Sequence, residues 1–167
     1  MLTLVVGVGN AWRGDDGAGL EVARRVDELD PRLDVRTVDG DASALVDVWT
    51  GHDRVALVDA ARSGRRPGTL HAFRADRAPL PAAALLASTH AFGVHDAIEL
   101  GRALGRLPAR LDVYAVEGAD FTAGAPLSPH VARAVEALAA ALCASGSHRP
   151  AFAWPTESGC GSPHFGP

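Results

Sequence analysis

The stretch Leu2-Thr3-Leu4-Val5-Val6-Gly7-Val8-Gly9-Asn10-Ala11-Trp12-Arg13-Gly14-Asp15-Asp16-Gly17-Ala18-Gly19 decides how this chain is read. An apolar run, residues 2–8, passes into a glycine-rich turn and then into a helix-like pattern near Leu20. Such a run ahead of a turn and a helix reads as a buried parallel strand with the turn at its C-terminal end. Ligands of folds built this way bind at that end. The acidic pair Asp15-Asp16 is the unusual part. A turn that cradles phosphate with backbone N–H groups does not place two carboxylates at its centre, because the charges repel. A dinucleotide fingerprint also needs a third glycine where Trp12 stands, and the lysine of a phosphate loop is absent. The turn is therefore read as holding a cation or a basic group, not a nucleotide.

The rest of the chain sets the frame. Its 167 residues suit one domain with a proper core, and 47% hydrophobic with 22% charged residues is an ordinary globular balance. A net charge of −4 and a pI near 5.9 give no electrostatic reason to expect nucleic acid. Arginine supplies every basic charge, since lysine is absent. Met1 is followed by strand-like residues without a basic leader region, and no apolar run reaches membrane-spanning length. Cys143 and Cys160 lie outside any zinc-type spacing. These features lead us to expect a reduced, cytoplasmic compartment with no membrane partner.

Hydrophobic periodicity predicts strands over 2–8, 33–38, 54–58, 69–73 and 111–116, alternating with helices over 18–27, 42–49, 93–104 and from Pro129 onward. Asp41 and Ser128 are the expected N-caps, with Pro129 at the first helical position. The run Val55-Ala56-Leu57-Val58 is apolar enough to be central. The short segment 69–73, beside Pro67-Gly68, suits an edge. A helical turn is expected over 79–86. The alternation predicts a three-layer α/β/α domain over 1–143 with a mostly parallel sheet. Residues 144–167 show no period and are expected to form a disordered tail.

Three features fall where such a sheet presents ligands. Asp15 and Asp16 follow the first strand, and Asp59 follows directly on the third. His90, in Ala87-Ser88-Thr89-His90-Ala91-Phe92-Gly93, precedes a helix and can approach the same crevice. Two carboxylates and an imidazole without a thiolate suit nickel, zinc, manganese or ferrous iron, and three protein ligands leave positions open. Each residue also has a plainer role. Asp59 can cap the turn after its strand. Asp15 and Asp16 can oppose the following helix dipole, and a lone histidine before a helix is commonly a capping or surface residue. His95 and Asp96 are read as facing solvent or helix neighbours. Cys143 is read as a small apolar residue, and Cys160 has no base near it.

Taken together, these residues resemble the nickel-iron hydrogenase maturation endopeptidases. Four blocks match in order: Gly7-x-Gly9-Asn10 with Asp15-Asp16-Gly17-x-Gly19; Val58-Asp59-Ala60 with Pro67-Gly68-Thr69; Ser88-Thr89-His90 with Gly93; and Leu127-Ser128-Pro129. The resemblance implies a mixed five-stranded sheet of order 2-1-3-5-4 with strand 4 antiparallel. It implies removal of a C-terminal extension from a hydrogenase large-subunit precursor after nickel insertion, with no organic cofactor. Carried over residue by residue, its metal-recognising groups fall on Asp16, Asp59 and His90, and the nickel they recognise is carried by the substrate. Some relatives have Glu where Asp16 stands, one methylene longer. The metal can then act as a Lewis acid, or Asp16 or Asp59 can act as a base. Trp12 and Arg13 are candidate contacts to the substrate peptide or, more plainly, a packed tryptophan and a solvated arginine. Glu117, after the fifth strand, is a candidate border of the cleft. Two rival readings are a metal-dependent hydrolase of the same fold acting on another substrate, and a non-catalytic nickel carrier in cofactor assembly.

Overall fold

Strands with side chains directed to two helix-covered faces build the sheet of this computed structural model, which describes residues 4–81 and 91–144. The strands are β1 (Leu4–Val8), β2 (Asp34–Val38), β3 (Arg54–Ala61), β4 (Leu70–Arg74) and β5 (Arg110–Glu117). Their order is β2-β1-β3-β5-β4, and only the β4–β5 pair is antiparallel. The helices are α1 (Ala18–Leu29), α2 (Ala42–Trp49), α3 (Ala91–Ala103) and α4 (Pro129–Ala144). The predicted order, the central place of β3 and the edge place of β4 all hold.

Period-two alternation sends successive strand residues to opposite faces. Val5, Val58 and Val116 pack under α1 and α4, against Val22, Val26, Val131, Val135 and Leu138. Leu4, Val6, Leu57, Leu111 and Val113 pack on the other face with Leu45 and Trp49 of α2 and Ile98 of α3. Leu57 is fully buried in the central strand, so Leu57→Ala costs roughly 2–5 kcal/mol. The Trp49 indole N–H donates to the Arg106 carbonyl at 3.1 Å, which satisfies the only polar group of that buried ring.

Caps and boundaries follow from local chemistry. The Asp41 carboxylate accepts the Ala44 N–H at 2.8 Å and caps α2 as expected. At α4 the Ser128 carbonyl accepts the first helical bond, from the Ala132 N–H at 2.9 Å. β3 runs three residues beyond its predicted end, because β5 continues to pair with it as far as Ala61↔Glu117. Asp59 is therefore inside the strand and does not follow it. The predicted turn at 79–86 falls largely outside the described residues, and so do residues 145–167 of the expected tail. Among the described residues no helix is long and apolar enough to cross a membrane.

Candidate functional site

Beyond β1 the chain makes a tight turn held by its own backbone. Asn10 Oδ1 accepts the Trp12 N–H at 2.9 Å, the Asn10 N–H donates to the Asp16 carbonyl at 3.2 Å, and residues Gly14–Gly17 form one 3-10 turn leading into α1. α1 begins almost on top of the strand ends. A Cβ on Gly19 would lie 2.3 Å from both the Val8 and the Val58 carbonyl oxygens, so only glycine lets the helix come this close. The acidic turn therefore sits where β1 ends alongside β3, with the chain crossing to opposite neighbours.

The two acids of the turn do different work, although both are fully buried. Asp15 accepts four hydrogen bonds: from the Ala119 N–H (2.7 Å), the Asp120 N–H (2.9 Å), the Ser128 N–H (2.7 Å) and the Ser128 hydroxyl (2.8 Å). Its own N–H donates to the Asp120 carbonyl at 2.8 Å. Asp15 thus ties the turn to residues 118–128, which join β5 to α4, rather than serving the α1 dipole alone. The Ser128 hydroxyl, expected to cap α4, gives its proton to Asp15. Asp16 has the Arg13 guanidinium at 3.8 Å.

Asp59 is 2% exposed, and one of its oxygens accepts the Ala60 N–H at 2.8 Å. The β1–β3 ladder ends at Gly7↔Val58 while β3–β5 pairing continues with Asp59↔Ala115. Asp59 is thus the first β3 residue past the end of β1, at the step in the sheet. By alternation it shares the face of Val55 and Leu57, the side that carries α2 and α3. His90 lies outside the described residues. The helix it precedes comes to this end of the sheet: a Cβ on Gly93 would lie 1.8 Å from the carbonyl oxygen of Gly40, just past the C-terminal end of β2. Among the described residues no three His, Cys, Asp or Glu side chains are grouped to hold a metal ion.

Glu117 does not border an open cleft. It is the last residue of β5, 1% exposed, and its carboxylate accepts from the Ser63 N–H and hydroxyl (both 2.7 Å) and the Gly64 N–H (3.0 Å), with His71 Nε2 at 3.1 Å. It fastens the β3–β4 connection. Trp12 is 80% exposed, not packed. Beside it a groove of about 290 Å³ runs between Leu20 and Arg24 of α1 and Ala125–Leu127, edged by Ala11 and Gly14. Asp96 is exposed and His95 half-buried in α3. The Cys143 thiol is half-buried and pushed up by burial and then by Asp30, away from the thiolate form.

The family model for hydrogenase maturation proteases (HycI) matches residues 21–145. The chain belongs to this family. It is similar to the hydrogenase expression/formation protein HupD of Rhodobacter capsulatus, with 32% identity over 139 residues, 80% of this chain and 65% of that protein. The matched region therefore spans just under two thirds of that relative's length. Among solved structures it is similar to the hydrogenase maturating endopeptidase HybD from Escherichia coli, with 26% identity, 87% of this chain and 94% of that chain covered, and a TM-score of 0.67. An endopeptidase from Escherichia coli solved in solution shares the fold, with TM-score 0.71, 24% identity and 89% and 96% coverage. The mixed sheet of order 2-1-3-5-4 is the architecture of this family.

Proposed function

We propose that this family member is an endopeptidase that removes the C-terminal extension of a nickel-iron hydrogenase large-subunit precursor after nickel insertion. In this reading Asp16, Asp59 and His90 recognise the nickel carried by the substrate. The observation that carries it is the division of labour in the acidic turn. Asp15 is held by four donors from the segment that joins β5 to α4, whereas Asp16, in the turn that follows β1, and Asp59, the first β3 residue past the β1–β3 ladder, are both buried at this end of the sheet. Two buried carboxylates close to the ends of adjacent parallel strands are costly to keep charged unless a cation or donors offset them. His90, directly before α3, supplies the imidazole.

Two carboxylates and one imidazole make an incomplete shell for nickel, and thiolates on the substrate's own nickel complete it. Docking is then conditional on a loaded substrate. The protein holds the nickel and, with it, the scissile segment over the crevice. Water adds to the scissile carbonyl, the C–N bond breaks, and the amine of the extension leaves with a proton.

The test is an electrophoretic shift assay on precursor prepared with and without nickel. The loaded precursor is cleaved and the metal-free precursor stays intact. His90→Ala abolishes cleavage while leaving the fold stable. Equal cleavage of both precursors by metal-free enzyme would overturn recognition through nickel and favour a generic hydrolase. Nickel transfer without any cleavage would favour a carrier.

A further inference from the structure

We infer that the β3–β4 connection, residues 62–69, is a recognition surface that docks an acidic segment of the precursor protein; this rests on the function proposed above. The connection carries Arg62, Arg65 and Arg66, and no acid occurs between Ala60 and Ala75. All three arginines are exposed. Many of the other arginines are matched to carboxylates, as in Arg24 with Glu21, Arg25 with Glu136, Arg32 with Asp30, Arg74 with Asp76 and Arg110 with Asp112. Among the described residues none of Arg62, Arg65 and Arg66 has such a partner. In a chain of net charge −4, three like charges crowded into five residues repel one another, and an anionic partner relieves that repulsion.

The loop is also built to present these charges. Buried Glu117 takes the Ser63 and Gly64 donors, its carbonyl accepts the Gly68 N–H at 2.8 Å, and the Thr69 hydroxyl closes on the Arg66 carbonyl at 2.6 Å. The Arg62 guanidinium lies 5.2 Å from the centre of the Phe121 ring. Anchoring the backbone lowers the ordering entropy that a partner must otherwise supply. The position fits a substrate contact. The loop leaves β3 directly after Ala61, three residues from Asp59 to Arg62, and Phe121 belongs to the same 118–128 segment that Asp15 holds. A patch of three cations on a net-negative protein is small for a nucleic acid or a membrane, and matches a short run of Asp and Glu.

The experiment measures processing of nickel-loaded large-subunit precursor by the full chain at several salt concentrations, with binding of the same precursor followed by interferometry. Arg65→Gln with Arg66→Gln is expected to raise KM about tenfold at low salt, leave kcat within about twofold and flatten the salt dependence, because charges at the rim act on encounter. Arg65→Glu with Arg66→Glu goes further in the same direction. A charge-matched control, Arg32→Gln with Arg106→Gln at the opposite end of the sheet, moves neither. Unchanged KM, binding and salt slope in the loop variants, with wild type active, overturns the inference alone. Wild type that neither binds nor processes precursor overturns both it and the proposed function. Arginine-dependent sedimentation with phosphatidylserine vesicles, alongside unchanged precursor KM, overturns it in favour of a lipid surface.

Discussion

The Asp15 carboxylate receives both the backbone N–H and the hydroxyl of Ser128, a residue 113 positions further along the chain, at 2.7 and 2.8 Å. This contact makes the acidic turn and the β5–α4 segment one unit. It also separates two acids that look equivalent in the sequence, and mutation should pull them apart.

Asp15→Asn keeps the shape but turns an amide N–H₂ toward donors, so buried groups lose their acceptor. The expected loss is about 2–4 kcal/mol, a drop in Tm of roughly 5–15 °C. Ser128→Ala removes one donor and costs about 1 kcal/mol. Calorimetry of the two variants checks this, and an Asp15→Asn protein that melts with wild type contradicts the latch.

Asp16→Asn should behave in the opposite way. Asp16 belongs to the proposed nickel-recognising set, so Tm is expected to stay within a few degrees of wild type while precursor cleavage falls at least a hundredfold through loss of a nickel ligand or base. Parallel melting and cleavage assays decide this. A melting loss as large as that of Asp15→Asn would show the pair acting together.

Trp12 is held through its backbone, with its N–H on Asn10 and its carbonyl accepting the Gly124 N–H at 2.7 Å, while the indole stands in water. An ordered, exposed tryptophan is the kind of side chain that dominates protein interfaces. Trp12→Ala should leave Tm within about 2 °C and raise KM for the precursor about tenfold. Unchanged KM would return Trp12 to a solvent role.

Acid should weaken the domain through paired carboxylates. Burial alone would raise the Asp76 carboxyl, but Arg74 at 2.7 Å and the Leu111 N–H at 3.1 Å outweigh it and hold the group below its ordinary value of 3.8. Asp41 is lowered by the Ser43 hydroxyl and then the Ala44 N–H. A carboxyl lowered on folding contributes stability that is present above its unfolded value and lost as pH falls through the folded one. Urea midpoints should therefore be steady above about pH 5 and decline below about pH 4, with a shallower decline in Asp76→Asn. An identical acid limb in that variant would remove Asp76 from the account.

A chain ending at Ala144 should melt within a few degrees of the full chain. The residues that seat α4, Val131, Val135, Leu138 and Leu142, all lie before that point. Thermal melting of both lengths tests this, and a large drop would mean that later residues pack on the domain.

Hydrophobic period and turn chemistry made the sheet legible, because Leu4–Val8 and Val55–Val58 are apolar without a break and Asp41 caps locally. The family resemblance supplied strand order and the antiparallel β4. The role of Asp15 was not legible, since its partners at Ala119, Asp120 and Ser128 are remote in sequence and nothing local distinguishes it from Asp16. The reach of β3 to Ala61 was missed because its last residues are held by β5 alone, after β1 has ended. Glu117 was misread for the same reason: Ser63, Gly64 and His71 reach it only once the sheet is assembled. The Leu127-Ser128-Pro129 block did carry a signal, but a serine before a proline reads first as a helix cap.

The insertion of β5 between β3 and β4 has a consequence for biogenesis. β3 and β4 are consecutive in the chain and joined only by residues 62–69, yet neither is the other's partner; both await residues 110–117. While the nascent chain is shorter than that, a β3–β4 hairpin is the local pairing expected of it, and hairpins close in roughly 1–10 μs. Such a hairpin is expected to act as a kinetic trap, because it would occupy the edge that β5 must take and would have to open before the sheet is completed. Refolding is expected to show a slow phase that disappears when β4 is deleted, and a fragment ending at Arg106 is expected to self-associate through the open edge of β3.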